Sequence, residues 1–511
     1  MCTAKNNRHV ATIDILPDNV FLEIFDCYLC QPPSEPIQRT KKWQTLVHVC
    51  QRWRSIIFAS PRRLDLYLSC SYGTRVRINL ANWPVTLPLI VDYAHKWHTP
   101  DDDDAILAAL EHSGRVHRIK IIGMDSLLNK VAKIMQKPFP ALSHLDIQWN
   151  HNGKFYPTPG SAPIIPRRFL GRSASRLQHL CLNGITLPHL PALLWSARNL
   201  VTLNLENVFQ DGYDYISPKT LAEGLAMLPS LTTLSFTFHD ETSAADQSGS
   251  RHDPPTILPS LTVFQCEGYS DYLEDFVTRI DTPRIDCFKI EYYAHGHQAL
   301  QLSRFLDRTE NLKLSQFTRA RVLFSWEDFS FSLDSPHENC CQAQLSLTMC
   351  ESWIEMSVPY SAHILSQVAS TFSNVDHLSA HGDQDGLYGM HSTQWLPFLR
   401  QFPAVETLHL SGEVAAYIVS ALEHNADSVT DLLPALHLIW LEDEENDVGD
   451  VPVGSMEKFL SLRRLSGRPV AVVDTYDEFV EAADRNPLKL GAIYCSRKCP
   501  SLHHEKFGRC R

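Results

Sequence analysis

A six-residue pattern recurs through most of this 511-residue chain and limits the folds that the chain can adopt. Apolar residues occupy its first, fourth and sixth positions, as in "LSHLDI" from Leu142 and "LVTLNL" from Leu200. Alternation of apolar and other residues is typical of strands that bury one face. The pattern therefore predicts short strands, mostly 23 to 35 residues apart, that start at or near the following residues: Val116, Leu142, Leu177, Leu200, Leu231, Leu261, Ile285, Val375, Val405 and Leu436.

Helical segments separate these strands. "LPALLWSARNL", "LAEGLAMLPSL", "LQLSRFLDRTENL" and "WLPFLRQFPAV" carry apolar residues at steps of three and four, which is typical of amphipathic helices. A single strand and helix cannot bury their own apolar faces, so stacking of neighbours must supply the core. We therefore predict an α/β fold in which a curved solenoid carries a parallel sheet on its inner surface. An α/β sandwich with alternating strands and helices stays open as the alternative.

The hexad resembles the leucine-rich repeat, in which a short strand is followed by a turn and a returning helix. The Asn that follows the strand in that family is mostly missing, although Asn183 and Asn207 lie near its position. Between Ile285 and Val375 the pattern is weak, and "NLKLSQF" and "AQLSLTM" are the best strand candidates. Polar segments at 149–166, 239–255 and 381–391 are expected to form surface loops.

Two apolar helical segments precede the repeat and are too small to form a core of their own. In "ILPDNVFLEIF", Pro17 suits a first helical position and Asp18 lies where the helix dipole favours an anion. "LVHVCQRWRSIIF" predicts two short helices that join near Cys50 and end before Pro61. These segments either pack internally as a helical cap or need a partner to cover them.

The two segments resemble the F-box, a three-helix module that docks onto a Skp-type adaptor of a cullin–RING ubiquitin ligase. The likeness covers roughly Ile13 to Leu64, and the insert "QPPSEPIQRTKK" is longer than that family usually has. The resemblance implies an adaptor interface at Leu16, Pro17, Val20, Ile24, Val49 and Trp53. It also implies five regions: an amino-terminal tail (1–11), an F-box (12–64), a connecting segment and cap (65–115), a leucine-rich-repeat-like solenoid (116–480) and a carboxyl-terminal tail (481–511).

Charge and composition exclude several classes of function. The net charge of −12 argues against general nucleic-acid binding, because that binding neutralises phosphates with Lys and Arg. Residues 37–77 nevertheless hold nine Lys or Arg against one acid, Asp65, and should attract an acidic partner. The absence of a signal-like start or a long apolar run predicts no membrane association, and 14 scattered Cys fit a reducing compartment. We expect an intracellular protein, cytoplasmic or nuclear.

Candidate chemistry is sparse. Asp101–Asp104 follow Thr99 and Pro100 and predict a helix start better than a metal site. The acidic run at 441–450 is expected to form a solvated loop. The Cys and His residues near the carboxyl end fit no strong zinc template, and they are Cys495, Cys499, His503, His504 and Cys510.

No phosphate loop, nucleophile elbow or H-E-x-x-H motif is present, so no cofactor or metal is expected. Four His residues next to strand positions would serve recognition on the exposed face, and they are His144, His179, His377 and His409. With the resemblance, these patterns predict a substrate-recruiting subunit of a Skp–cullin–F-box ligase that is not itself an enzyme. The rival is a scaffold that binds partners without directing ubiquitin transfer, and a hydrolase would need a deep polar pocket.

Overall fold

The computed structural model describes most of the chain and divides it into two compact units, residues 1–250 and 251–511. No helix in the described part is both long enough and apolar enough to cross a membrane. The described residues are 13–29, 36–94, 99–150, 163–207, 216–238, 254–293, 304–306, 308–309, 312, 317–325, 328–334, 344–350, 362, 372–382, 394–424, 432–442 and 456–474.

The first unit begins with a helical module, as the two apolar segments predict. After a 3-10 turn at Ile13–Ile15 come α1 (Asp18–Leu29), α2 (Pro36–Val47) and α3 (Gln51–Ala59). The predicted junction near Cys50 is confirmed, because the Sγ of Cys50 caps α3 by accepting a hydrogen bond from the backbone N–H of Trp53 at 3.4 Å. Aromatic rings hold α1 against α3, since the Trp53 ring lies edge-on to Phe25 with 4.9 Å between centroids.

Seven parallel strands follow in the described part of this unit, and each pairs with the next along the chain. They are β1 (Leu68–Ser71), β2 (Leu89–Tyr93), β3 (Val116–Gly123), β4 (His144–Trp149), β5 (His179–Asn183), β6 (Thr202–Glu206) and β7 (Thr233–Phe238). The three apolar positions of the hexad are buried together, as at Leu200, Leu203 and Leu205, which are fully buried. Each such side chain contributes about 1.5–3 kcal/mol relative to an exposed one.

The ladder starts earlier than the hexad predicts. β1 and β2 lie in the segment interpreted from the sequence as a connection and cap, and β2 pairs directly with β3. Neither "LSCS" nor "LIVDY" carries the hexad spacing, although β2 alternates buried and half-buried residues in the usual way.

Helices return between the strands. They are α4 (Val76–Asn82), α5 (Pro100–Leu110), α6 (Asp125–Ile134), α7 (Leu190–Ser196) and α8 (Pro218–Leu225). The helix start predicted at the aspartate run is confirmed by a capping box. Thr99 Oγ1 accepts from the Asp102 backbone N–H at 3.3 Å, and Asp102 Oδ2 accepts from the Thr99 N–H at 3.0 Å.

The second unit is also α/β and mostly parallel. Its strands in the described residues are β8 (Thr256–Ile257), β9 (Val263–Tyr269), β10 (Ile280–Asp281), β11 (Cys287–Tyr293), β12 (Arg319–Phe324), β13 (Asp328–Asp334), β14 (Gln344–Cys350), β15 (His377–Gly382), β16 (Thr407–Gly412), β17 (Leu438–Glu442) and β18 (Ala471–Asp474). The helices described in full are α9 (Ser270–Arg279), α10 (Trp395–Leu399), α11 (Val414–His424) and α12 (Glu457–Leu465). Every strand that the hexad predicts in this unit is present.

The weak stretch after Ile285 contains an antiparallel insertion. β14 matches the candidate "AQLSLTM", whereas "NLKLSQF" forms no strand among its described residues. β13 pairs antiparallel with both β12 and β14, while β11 and β15 flank the three strands in parallel. β12 and β13 do not carry the hexad and so were not predicted, although Phe329, Phe331 and Leu333 alternate at the period of two that is typical of a half-buried strand.

The edge of β1 is covered by α2. The backbone carbonyl of Tyr67 accepts from Trp43 Nε1 at 2.9 Å, and the backbone N–H of Ser69 donates to Thr40 Oγ1 at 3.2 Å. An edge strand with free backbone groups invites pairing with other chains, and terminal repeats need a cover for the same reason. The helical module therefore closes the start of the repeat array.

We expect Thr40→Val to destabilise the first unit, because it removes the buried hydroxyl that accepts from Ser69. An unsatisfied buried donor costs about 1–3 kcal/mol. Thr45→Val is the matched control, since Thr45 lies on the same helix but is exposed. Thermal melting and amide exchange at Ser69 measure the effect, and equal behaviour of the two variants would contradict the role given to α2.

Candidate functional site

Helix α1 carries two neighbouring apolar stripes, because successive residues of a helix are about 100° apart around its axis. Its inner stripe is buried under the rest of the module and consists of Phe21, Leu22, Phe25 and Leu29. A second stripe repeats every four residues at Val20, Ile24 and Tyr28, which places these side chains on one side of the helix. Ile24 is 45% exposed and Tyr28 is 39% exposed, while Val20 is half-buried. This second stripe is therefore only partly covered by the chain.

The turn before α1 is held in place by Arg52. Its Nη2 donates to the Leu16 carbonyl at 2.7 Å and to Asp18 Oδ1 at 2.8 Å, and its guanidinium lies 4.9 Å from the centre of the Phe21 ring. Because Arg52 is in the first turn of α3, these contacts bring the amino-terminal ends of α1 and α3 side by side. Pro17 and Ile15 are exposed at this end.

The predicted interface residues differ in their exposure. Val49, in the turn between α2 and α3, is 56% exposed, and Leu16 is half-buried beside the Arg52 contact. Trp53 is half-buried because its ring packs against Phe21 and Phe25, so it supports the inner core as well as the surface. We use "α1 patch" for the exposed or half-buried apolar residues of α1 and of the turns that precede α1 and α3, which are Ile15, Leu16, Pro17, Val20, Ile24, Tyr28 and Val49.

The strands offer a second surface of a different kind. Residues that alternate with the buried leucines form rows across the first unit, and one row runs Lys120, Asp146, Cys181 and Asn204 through four neighbouring strands. Lys120 Nζ lies 3.8 Å from Asp146 Oδ2. Burial, then Asp146 and Glu206, raise the pKa of the Cys181 thiol well above its usual range, so this thiol is not a nucleophile near neutral pH.

A neighbouring set of side-chain amides links β5 to β6 and to the residue after it. Asn183 Nδ2 donates to Glu206 Oε2 at 2.7 Å, and Asn204 Nδ2 donates to Glu206 Oε1 at 2.8 Å. Asn207 Nδ2 in turn donates to Asn183 Oδ1 at 3.3 Å. Thus Asn183 and Asn207, singled out in the sequence, form a polar ladder that ties successive repeats together.

His144 and His179 stack at the start of β4 and β5. Their ring centroids are 4.2 Å apart, and Ser143 Oγ lies 2.8 Å from His144 Nδ1. Burial, then His179 and Arg118, lower the pKa of His144 to about 4, and burial with Arg118 lowers the pKa of His179. Both rings are therefore neutral near pH 7, and they act as hydrogen-bonding groups on the strand face.

In the second unit a serine, a histidine and a glutamate lie on consecutive strands. Ser379 Oγ is 3.4 Å from His409 Nδ1, and His409 Nε2 is 3.3 Å from Glu442 Oε2. Such a row has the residue types of a nucleophile relay. However, the backbone N–H groups of these interior strands are already bonded in the parallel ladder, so they cannot stabilise an oxyanion. The row fits recognition better than catalysis.

Metal chemistry finds no support in the described residues. No group of three or more His, Cys, Asp or Glu side chains there could hold a metal ion. The aspartate run caps a helix, as predicted, and all Cys residues described by side chain are free thiols. The carboxyl-terminal Cys and His residues lie outside the described part of the chain, as do the acidic run beyond Glu442 and most of the three predicted loops.

Comparisons with known proteins add little. No model of a protein family matches the sequence, and no curated protein matches it. Among solved structures, the crystal structure of the leucine-rich repeat-containing protein LegL7 from Legionella pneumophila is similar at 16% identity, over 58% of this chain and 83% of that chain, with a TM-score of 0.26. At that TM-score the similarity supports no argument about fold or function.

We expect Arg52→Ala to loosen the turn before α1, because Arg52 holds the Leu16 carbonyl and the Asp18 carboxylate together. Hydrogen bonds to charged groups contribute about 1.5–3 kcal/mol, and less where solvent screens them as here. The measurement is amide exchange at Leu16, whose N–H closes the turn onto Ile13. Arg62→Ala is the control, because Arg62 is an exposed arginine of the same module. Unchanged exchange at Leu16 in Arg52→Ala would show that the contacts of Arg52 do not hold the turn.

The histidine pair makes stability depend on pH. The pKa of His144 is lower in the folded chain than in the unfolded chain, so between about pH 4 and pH 6.5 the unfolded state binds more protons. Stability should therefore fall as the pH drops through this window. We expect His144→Gln to flatten the change in melting temperature between pH 7 and pH 4.5, whereas an unchanged slope would contradict the contribution of His144.

Proposed function

We propose that this protein is a substrate-recognition subunit of a Skp–cullin–F-box ubiquitin ligase. The helical module would bind a Skp-type adaptor, and the repeats would bind the target protein. The observation that carries the proposal is the α1 patch, an apolar surface on a helix whose neighbouring apolar stripe is already buried in the module.

The α1 patch has the composition of a docking surface. Contiguous exposed apolar groups mark interaction sites on proteins, whereas single exposed apolar residues are ordinary. Ile24 is 45% and Val49 56% exposed, so covering both with a partner would contribute roughly half of the 1.5–3 kcal/mol of full burial for each, before ordering costs. A short three-helix module can therefore supply a useful part of a binding free energy.

The charge of the module favours an acidic partner. Two ion pairs, Arg52 with Asp18 and Arg63 with Glu23, neutralise two acids of α1 together with two of the nine Lys and Arg of residues 37–77. The other seven outnumber the single acid of that segment and give a local positive field in a chain whose net charge is −12. Complementary charge speeds the encounter of partners and fixes their orientation.

The attachment of the module to the repeats suits a recruiting role. Hydrogen bonds from α2 to β1 join the docking helices to the first strand of the sheet. A target on the strand rows of the same unit would therefore be held at a defined position relative to the adaptor. Positioning of reactants can supply a large part of a rate enhancement without local chemistry, and the transfer of ubiquitin would take place on other subunits.

The alternative is a non-catalytic scaffold that binds an adaptor or another partner but directs no ubiquitin transfer. The same patch and the same strand rows would serve it. The two proposals differ only in whether a cullin joins the complex.

Co-purification from cells tests the proposal. We expect the wild-type chain to bring down a Skp-type adaptor and a cullin, and Ile24→Glu with Val49→Glu to lose both, because two charges would face the apolar surface of the adaptor. Leu16→Ala with Pro17→Ala should weaken capture at least about tenfold, the equivalent of 1.4 kcal/mol. Ile78→Glu is the matched control, since Ile78 is 51% exposed on α4, away from the α1 patch.

The outcomes separate the candidates. Adaptor without cullin would favour the scaffold. Adaptor binding that survives the Ile24 and Val49 changes would refute the α1 patch as the interface, and circular dichroism of each variant checks that the fold is intact.

A further inference from the structure

A small apolar cavity opens between the 3-10 segment Phe169–Arg172 and α7. Its volume is about 160 Å³. Its floor is apolar and nearly buried, and it consists of Ile165, Phe169, Leu187 and Leu193. Arg167, Arg172 and His189 stand at the rim and are exposed. An apolar floor under a positively charged rim is the feature from which the inference starts.

The backbone builds this cavity with an unusual turn. Leu170, Gly171 and Arg172 have φ values of 52°, 63° and 60°, in the left-handed region that residues other than glycine rarely adopt. The Leu170 N–H donates to the Met135 carbonyl at 2.6 Å, and a Cβ on Gly171 would lie 2.8 Å from the backbone N of Pro138. The packing against α6 and its following turn therefore holds the left-handed turn, which places Phe169 in the floor and Arg172 at the rim.

The segment that forms the cavity contains positively charged side chains and no acidic ones. Residues 163–200 contain five arginines and no aspartate or glutamate, although the whole chain carries a net charge of −12. The arginines are Arg167, Arg168, Arg172, Arg176 and Arg198. All five are half-buried or exposed, so the charge is available to a ligand. A ligand that fits here must be acidic around the point where its apolar part enters.

The size of the cavity restricts the apolar part. An apolar cavity of about 150 Å³ holds one benzene molecule, whereas sites for cofactors and drug-sized ligands are roughly 300–1,000 Å³. The cavity is therefore large enough for one bulky side chain and too small for a whole cofactor. Trp195, three residues after Ala192 of the cavity wall, is 57% exposed and adds apolar surface on α7.

We propose that this cavity binds a short acidic peptide segment of a partner protein, with one large apolar side chain inserted over Phe169 and Leu193 and flanking carboxylates against Arg167 and Arg172. The site is distinct from the α1 patch. It stands whether or not the helical module binds a Skp-type adaptor, because no residue of the module lines it. If the proposed function holds, this cavity is the site at which the protein binds acidic targets.

Fluorescence anisotropy with the full chain tests the proposal. The probes are fluorescein-labelled synthetic peptides of the form GDEDXDEDG, with Phe, Leu, Ile or Met at X. The comparison peptides are GDEDADEDG, which lacks the apolar side chain, and GKRKFKRKG, which reverses the charge. We expect saturable binding of at least one acidic apolar peptide in the micromolar range, none of the comparison peptides, and weaker binding as salt screens the rim charges.

Two pairs of variants locate the site. Ala192→Phe fills the cavity from an exposed helical position and should weaken binding at least about tenfold, whereas Ala192→Ser should not. Arg167→Glu should weaken binding by a similar factor, whereas Arg168→Glu, with the same charge change one residue outside the cavity lining, should change it less than about threefold.

Each remaining outcome overturns the proposal. These are no saturable binding of any acidic apolar peptide, equal binding of the Ala peptide, or full binding by Ala192→Phe. A second copy of the chain is the other possible occupant of the cavity, and sedimentation of the wild type and of Ala192→Phe tests for it. A dimer that forms in the wild type but not in Ala192→Phe would assign the cavity to that second copy and overturn the proposal. Loss of adaptor binding in the co-purification experiment leaves these peptide results unaffected, so the two proposals fail separately.

Discussion

The rest of this structure depends on the burial of leucine faces that no single repeat can cover. Each hexad places three apolar side chains on one side of a short strand, and the next strand and a returning helix must cover them. The fully buried set Leu200, Leu203 and Leu205 shows the result within one repeat. Every strand and helix pair needs a neighbour to cover its apolar face, and no repeat precedes β1. There α2 supplies the cover and satisfies the backbone groups of the edge.

The same module that closes the array also faces outward. Helix α1 buries Phe21 and Phe25 in the internal core and has a second apolar stripe at the surface. A helix that served only as a cap would gain nothing from that stripe, because exposed Ile and Tyr side chains on a cap favour unwanted association. Arg52 fixes the turn at the end of the stripe by binding both Leu16 and Asp18. The end of the α1 patch at Leu16 is therefore held in one conformation by hydrogen bonds.

Charge divides the molecule in a way that the net value hides. An overall excess of acids coexists with a basic helical module and with an arginine-rich segment at 163–200 that has no acid at all. The strand rows of the first unit pair their polar groups with one another, since Lys120 forms an ion pair with Asp146 and Asn183 donates a hydrogen bond to Glu206. Paired rows bind by shape and hydrogen bonding, whereas unbalanced arginines attract acidic partners from a distance.

The sequence by itself determined the strands that carry the hexad and which of their residues are buried, because the alternation of a strand is local and repeats every two residues. It likewise determined the capped helix at Thr99 and the helix junction near Cys50, whereas α2 begins at Pro36, inside the segment interpreted as an insert. The tertiary structure alone decided the antiparallel insertion of β12, β13 and β14, the cover of β1 by α2, the exposure of Ile24 beside the burial of Phe25, and the cavity above Phe169. These features depend on contacts between segments far apart in the chain, and the pattern of a single segment does not record which of its apolar residues another segment will cover.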